Sequence, residues 1–135
     1  MTAYYLDSSV ALRILLGHSE SAARWFTDVA SDPDGHQLVS SRLLRTEIVR
    51  MLRREDMDLD LKDRILRHVG TIPLDHATLV ETEAIVPHLK TLDAVHLASA
   101  IRSGIEDLVV TTHDGGMQRA ARQLGLGIHD PVDDC

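Results

Sequence analysis

Apolar positions along this chain follow two alternating periods. Residues 3–6 form a run of strand length, and residues 8–16 carry Val10, Leu12, Leu15 and Leu16 at helical spacing before Gly17. Ser19 is placed to cap a second helix through about residue 28, with Ala22, Ala23, Trp25 and Phe26 inward. Asp32-Pro33-Asp34-Gly35 reads as a turn, and Gln37-Leu38-Val39-Ser40 as a second strand. The spacing predicts a strong helix over 42–54, with Leu43, Leu44, Ile48, Met51 and Leu52 on one side. Asp58 or Asp60 starts a further helix that runs to Val69 and stops at Gly70. Residues 71–74 are a weaker strand, and Pro73 suits an edge because it has no donor for a ladder. Asp75 caps a helix that Pro87 ends or kinks, and residues 92–103 are helical up to Gly104. Residues 108–112 are the clearest strand, residues 115–124 are helical up to Gly125, and residues 127–129 form a last short strand.

Strands alternating with helices predict an α/β domain with a parallel sheet and helices on both faces. The carboxyl ends of such strands share one edge, and ligands bind beyond it where the strand order reverses. Asp7 and Asp114 both follow strands and are expected to face that crevice, while Glu47 and Asp93 lie in helical patterns. Carboxylates gathered from distant parts of a chain repel one another, and a cation between them offsets that cost. Oxygen ligands suit Mg²⁺ and Mn²⁺. The expectation is a divalent-metal site built from Asp7, Glu47, Asp93 and Asp114.

Each acid also has a plainer reading. Asp7 and Asp114 stand where helix N-caps belong, although Ser8 or Ser9 serves that purpose as well as Asp7, and Thr112 is a second polar group near Asp114. Asp93 follows Thr91 at a helix start and is equally placed to cap. Glu47 borders the apolar stripe, with Arg50 and Arg54 at helical spacings, so an exposed ion pair worth ~0.2–0.5 kcal/mol is its plain role. In the functional reading Glu47 is aimed at the crevice. Arg50 and Arg54 are then the two of five arginines in residues 42–54 best placed to bind substrate phosphate through their guanidinium forks. None of the eight histidines has the spacing of a helical zinc pair. His96 lies one turn after Asp93 and either packs in the core or lines the crevice, packing being the simpler reading. His113 adjoins Asp114 on an irregular turn and need not face the same way.

Composition narrows the functional classes. A chain of 135 residues is read as a single domain, 1–135. Aromatics are only 3% of it, so aliphatic residues must fill the core, which argues against a nucleic-acid surface of stacked rings. The net charge of −7 argues against a general polyanion-binding module but leaves room for a nuclease, whose local field matters more than its total charge. Cys135 is the only cysteine, so neither an internal disulfide nor a cysteine zinc cluster is available, which fits a reducing cytoplasm. Asp7 and Arg13 interrupt the first apolar stretch, against a signal peptide, and no apolar run approaches the ~20 residues that span a bilayer.

Four stretches in order carry a resemblance. They are Tyr5-Leu6-Asp7-Ser8-Ser9, then Ser41-Arg42-Leu43-Leu44-Arg45-Thr46-Glu47, then Leu92-Asp93-Ala94-Val95-His96-Leu97-Ala98-Ser99-Ala100, then Val110-Thr111-Thr112-His113-Asp114 with Ala120-Ala121-Arg122 and Leu124-Gly125 beyond. Together they resemble a PIN domain of the VapC-type toxins of bacterial toxin–antitoxin pairs. The resemblance implies a PIN-like three-layer fold with a parallel central sheet of about five strands. It implies that Asp7, Glu47, Asp93 and Asp114 are the catalytic, metal-binding quartet, with Ser9 and Thr112 as supporting polar groups. It also implies an endoribonuclease dependent on Mg²⁺, or Mn²⁺ in its place, that hydrolyses RNA phosphodiester bonds by metal-activated water. Such a protein is expected to be a homodimer, held inactive by a cognate antitoxin at the acidic crevice.

Asp7 and Asp114, leaving strand ends, are the expected direct ligands, and Glu47 and Asp93 the holders of bound water or a second ion. Gly115-Gly116, expected to loosen the turn after Asp114, and the acidic tail of Asp130, Asp133 and Asp134 are less usual for that family. A catalytically silent PIN scaffold remains an alternative. A receiver-like phosphoacceptor domain fits less well, since Ser8 follows Asp7 and the only lysines are Lys62 and Lys90. A haloacid-dehalogenase-like phosphatase needs Asp at position 9, which is Ser.

Overall fold

In β1 (Thr2–Leu6) alternate side chains take opposite sides, and this sets the layering of the whole domain. Leu6 packs with Val10, Phe26, Leu44, Ile48 and Leu52 on one face, and Ala3 and Tyr5 pack with Leu97, Val110 and Met117 on the other. The computed structural model describes residues 2–32 and 34–132. Pro33 of the expected turn, Asp133 and Asp134 of the acidic tail, and Cys135 lie outside the described residues.

After β1 come α1 (Ser8–Leu16), α2 (Glu20–Ala30), β2 (His36–Ser41) and α3 (Arg42–Arg54). A 3-10 turn (Leu59–Lys62) leads into α4 (Asp63–Leu66) and β3 (Gly70–Ile72). Then follow α5 (His76–Glu83), α6 (Thr91–Arg102), β4 (Val109–Thr111), α7 (Gly115–Gln123) and β5 (Gly127–His129). The five strands form one sheet in the order β3-β2-β1-β4-β5, and every pairing is parallel. This is the predicted α/β architecture. The order reverses between β1 and β4, because the chain builds outward through β2 and β3 and then returns to the other side of β1. That is where a crevice opens at the carboxyl ends of strands.

Local chemistry explains most element ends. Gly17 closes α1 at φ 73°, a left-handed conformation that costs glycine little, with its N–H and that of His18 returning to Ile14 and Arg13 carbonyls. Ser19 caps α2 by accepting from Ala22 N–H at 3.1 Å, as predicted. Ser41 ends β2 and caps α3 in one residue, its hydroxyl accepting from Leu43 N–H at 3.0 Å. No linker then separates strand from helix, and α3 starts directly at the crevice edge.

Most element ends fall within a residue or two of the sequence reading, and the largest differences are at two helix ends. The helix expected up to Val69 is instead a 3-10 turn followed by a single α turn, and Gly70 is the first residue of β3, paired opposite Val39. Sheet pairing claims the glycine that looked like a helix stop. Helix α5 ends at Glu83, ahead of Pro87, because its last turn tightens into bonds from Ala84 and Ile85 to carbonyls only three residues back. Pro73 lies just beyond β3, which is an edge strand as expected.

Among the described residues, no helix is long and apolar enough to cross a membrane. Leu52 is fully buried in the core between the sheet and α1–α4, whereas Leu79 on α5 is 45% exposed. Leu52→Ala is expected to cost ~2–5 kcal/mol in urea unfolding, and Leu79→Ala less than ~0.5 kcal/mol; equal losses would contradict this packing.

Candidate active site

Asp7 follows β1 and is 1% exposed. It occupies the N-cap position of α1, yet its side chain makes no capping bond. Its Oδ2 accepts instead from the Ser9 hydroxyl at 2.7 Å and the Thr112 hydroxyl at 2.8 Å. Ser9 comes from the first turn of α1 and Thr112 from the end of β4. These two bonds therefore join the neighbouring strands across the reversal point. The other oxygen, Oδ1, is buried and has no hydrogen-bond partner.

Thr112 and Ser9 are held in turn. Thr112 Oγ1 accepts from Asp114 N–H at 3.1 Å, and Ser9 Oγ accepts from His113 N–H at 3.1 Å. Both hydroxyl protons are then directed at Asp7. Asp114 opens α7, and its Oδ2 accepts from Met117 N–H at 2.8 Å, so this acid does cap its helix as the plainer reading held. Asp93 does not cap: Lys90 holds the N-cap position of α6, and Asp93 lies within the first turn, half-buried.

Glu47 departs from the plain expectation of an ion pair with Arg50 or Arg54. Its Oε1 bonds His96 Nε2 at 2.5 Å, and its Oε2 accepts from the Ser8 hydroxyl at 3.1 Å. His96 is fully buried, so packing in the core was a correct reading, but the ring also forms the floor of the acidic group. Nε2 lies 4.0 Å from Asp7 Oδ1, and Nδ1 bonds the Tyr5 hydroxyl at 2.7 Å. That hydroxyl also accepts from Ser41 N–H at 3.2 Å. Burial alone would lower the His96 pKa, but the Glu47 hydrogen bond and the charges of Asp7, Glu47 and Asp93 leave it raised. Burial also raises the Tyr5 pKa, keeping the phenol protonated.

The four acids act on one another. Burial, then the charges of Asp7 and Asp114, push the Asp93 carboxyl above the ordinary carboxylate range; His96 opposes and Glu47 adds to the rise. Groups from β1, α3, α6 and the start of α7 thus share one electrostatic neighbourhood, as the sequence reading required. Among the described residues, however, no group of three or more His, Cys, Asp or Glu side chains is arranged as it stands to hold a metal ion. Both Glu47 oxygens, Asp7 Oδ2 and Asp114 Oδ2 accept hydrogen bonds from the protein itself. The donor set still fits one: it is all oxygen, like-charged, and contains an orphaned buried carboxylate oxygen aimed among the others.

Arg50, Arg54 and Glu47 line one cleft of about 510 Å³ together with Leu12, Leu43 and Leu92, so both predicted phosphate binders share a cleft with one of the four acids. Arg54 is 3.2 Å from its exposed neighbour Glu55. Sequence reasoning missed Arg119, whose guanidinium lies against the Gly115–Gly116 backbone next to the Asp114 carboxylate. It also missed Ser8 and Tyr5; only the spacing of His96 from Asp93 signalled this lower tier.

An α/β domain with a parallel five-stranded sheet and an acidic, hydroxyl-buttressed centre at its order reversal is the class that fold and site define. The PIN domain family model matches residues 4–123, and the chain belongs to that family. It is 34% identical over 134 residues to Ribonuclease VapC46 of Mycobacterium tuberculosis, covering 97% of this chain and 99% of the relative. It is 26% identical to Ribonuclease VapC47 of the same species, covering 94% and 96% of the two chains. Among solved structures, VapBC2 from Rickettsia felis bound to a DNA fragment from its promoter superposes with a TM-score of 0.73 at 12% identity, over 96% of this chain and 98% of that one. VapBC-1 from nontypeable Haemophilus influenzae gives 0.66 at 13% identity, over 98% and 100%. These two share the fold. Membership of the PIN family sets aside the receiver and phosphatase alternatives.

The raised Asp93 pKa has a consequence for metal-free protein. Its stabilising contribution is intact below the unfolded value, about pH 4, and is lost as pH rises through the higher folded value. In chelator-treated protein, Asp93→Asn is expected to melt above wild type at neutral pH and to lose that advantage toward pH 4. Identical melting temperatures at neutral pH would contradict the convergence of charges.

Proposed function

We propose that this protein is a divalent-metal-dependent endoribonuclease, the toxin of a type II toxin–antitoxin pair. The observation that carries the reading is the convergence of Asp7, Glu47, Asp93 and Asp114 at the order reversal of the sheet, with one buried Asp7 oxygen left without a partner. The relatives named as ribonucleases, aligned over nearly the whole chain, support the same activity. Mg²⁺, or Mn²⁺ in its place, supplies when bound the neutralisation of phosphate charge and a water acidic enough to attack phosphorus in line.

The chain's own groups divide the remaining work. Asp7 offers Oδ1 to the cation while Ser9 and Thr112 hold Oδ2 and fix the carboxylate plane. Asp114 is the second direct ligand in this reading. Glu47, steadied by His96 and Ser8, and Asp93 hold water or a second ion. Arg50 and Arg54 orient substrate phosphates from the adjoining cleft, Arg54 by leaving Glu55. Water as nucleophile makes the RNA 2′-hydroxyl dispensable.

The reading extends to partners. The acidic crevice attracts an Arg or Lys from an antitoxin, which displaces the cation, and solved neighbours from Klebsiella pneumoniae and Rickettsia felis are toxin–antitoxin and VapBC assemblies. A homodimer acting in the cytoplasm on RNA completes it.

The test is RNA cleavage by wild type and Asp7→Asn with Mg²⁺, Mn²⁺ or chelator. Wild type is expected to cleave only with metal, to leave 5′-phosphate and 3′-hydroxyl ends, and to melt higher when metal is added. Asp7→Asn should stay folded, lose cleavage and lose the metal-induced shift. Undiminished cleavage by that variant, 2′,3′-cyclic phosphate ends, or a wild type that never cleaves RNA would overturn the mechanism.

A further inference from the structure

Asp130 stands one residue beyond β5, apart from the four acids, and its carboxylate faces the turn between β4 and α7. Oδ2 bonds His113 Nδ1 at 2.9 Å and accepts from Gln118 Nε2 at 3.2 Å. Oδ1 accepts from Val132 N–H at 3.0 Å. The same Gln118 nitrogen donates to the Thr112 carbonyl at 3.0 Å. One carboxylate therefore grips both flanks of Asp114: the residue immediately before it and a residue one turn into α7.

The segment that carries Asp130 is itself fastened. The Ser21 hydroxyl on α2 lies 2.7 Å and 2.9 Å from the Pro131 and Val132 carbonyls. Thr112 N–H donates to the His129 carbonyl at 3.0 Å, continuing the pairing of β4 with β5 past its last strand residue. The Asp130 side chain is 17% exposed. Burial pushes its carboxyl upward, but the His113 hydrogen bond, the Val132 N–H and Gln118 bring it below the ordinary range, so it accepts as a carboxylate.

The gripped turn needs such support. Gly115 and Gly116 open α7 directly after Asp114, and two adjacent glycines lose more backbone freedom on ordering than any other pair. Without an external hold, Thr112 and Asp114 would sample positions away from Asp7. The Thr112 bond to Asp7 and the direction of the Asp114 carboxylate both depend on this turn.

We propose that Asp130 is a positioning residue for the acidic site: through His113 and Gln118 it fixes the 112–114 turn so that Thr112 and Asp114 face Asp7. It touches neither substrate nor cation. The inference rests on the metal-nuclease reading of the four acids and adds a residue outside them.

The experiment compares Mn²⁺ affinity by titration calorimetry, the metal dependence of RNA cleavage and the metal-free melting temperature in wild type, Asp130→Ala, Asp130→Asn and Gln118→Met. Asp130→Ala is expected to bind Mn²⁺ about tenfold more weakly, with cleavage at saturating metal reduced by a smaller factor. Asp130→Asn, which keeps one oxygen acceptor, should recover part of that affinity. Gln118→Met removes one arm of the grip without touching the buried core, and should weaken binding by less than Asp130→Ala. Wild-type affinity in both Asp130→Ala and Gln118→Met, with or without a lower melting temperature, would reject the positioning role and leave the nuclease reading intact. A wild type that neither binds Mn²⁺ nor cleaves would overturn both.

Discussion

Two hydroxyl protons pointed at one oxygen of Asp7 hold the functional end of this domain together. Ser9 brings in the start of α1 and Thr112 the end of β4, so the carboxylate adds side-chain bonds to the backbone pairing of β1 with β4 at the order reversal of the sheet. Hydrogen bonds to a charged group are worth about 1.5–3 kcal/mol each, against an effective cost of several kcal/mol for burying a lone ion. The hydroxyls compensate one oxygen. The other, Oδ1, faces His96 at 4.0 Å and its acidic neighbours without a bond of its own. Such an imbalance is costly in a purely structural residue and sensible in one that completes its coordination from the crevice.

Beneath that carboxylate lies a second tier that the alternation of β1 creates. Tyr5 and Asp7 share a side of the strand, so the phenol sits below the acid and carries its hydroxyl to His96. His96 passes the connection to Glu47, and Ser41 closes the chain from the end of β2. The result links β1, β2, α3 and α6 through buried polar atoms that are satisfied by one another. The Glu47 hydrogen bond and the surrounding carboxylates shift the imidazole toward its charged form, against the opposing effect of burial.

Much of this was legible in the sequence because it depends on period and on caps. The strand of residues 3–6, helices over 8–16 and 42–54, the edge position before Pro73 and the last short strand all emerge from spacing, Gly and Pro. The four acids were legible for the same reason: two follow strand ends, and parallel topology sends those ends to one edge. What stayed hidden depends on contacts between distant segments. Gly70 reads as a helix stop until β2 is present to pair with it through Val39. Glu47 reads as the partner of nearby arginines until Ser8 and His96 arrive from other elements. Asp130 reads as part of an acidic tail until His113 and Gln118 are seen to meet it.

For Asp114, capping a helix and facing the other acids are compatible roles. Its Oδ2 caps α7 through Met117, and that cap sets the direction of a residue facing the other acids. An N-cap bond is worth about 1 kcal/mol, so a divalent cation in the proposed site would outweigh it for a carboxylate held among like charges. Glu47 differs because both its oxygens already have polar partners, one of them a raised-pKa imidazole. In the proposed metal site a cation would therefore gain more from Asp7 and Asp114, each with only one oxygen accepting a hydrogen bond, than from Glu47. This ordering arises from hydrogen-bond occupancy, independently of the strand-end argument that first singled out Asp7 and Asp114.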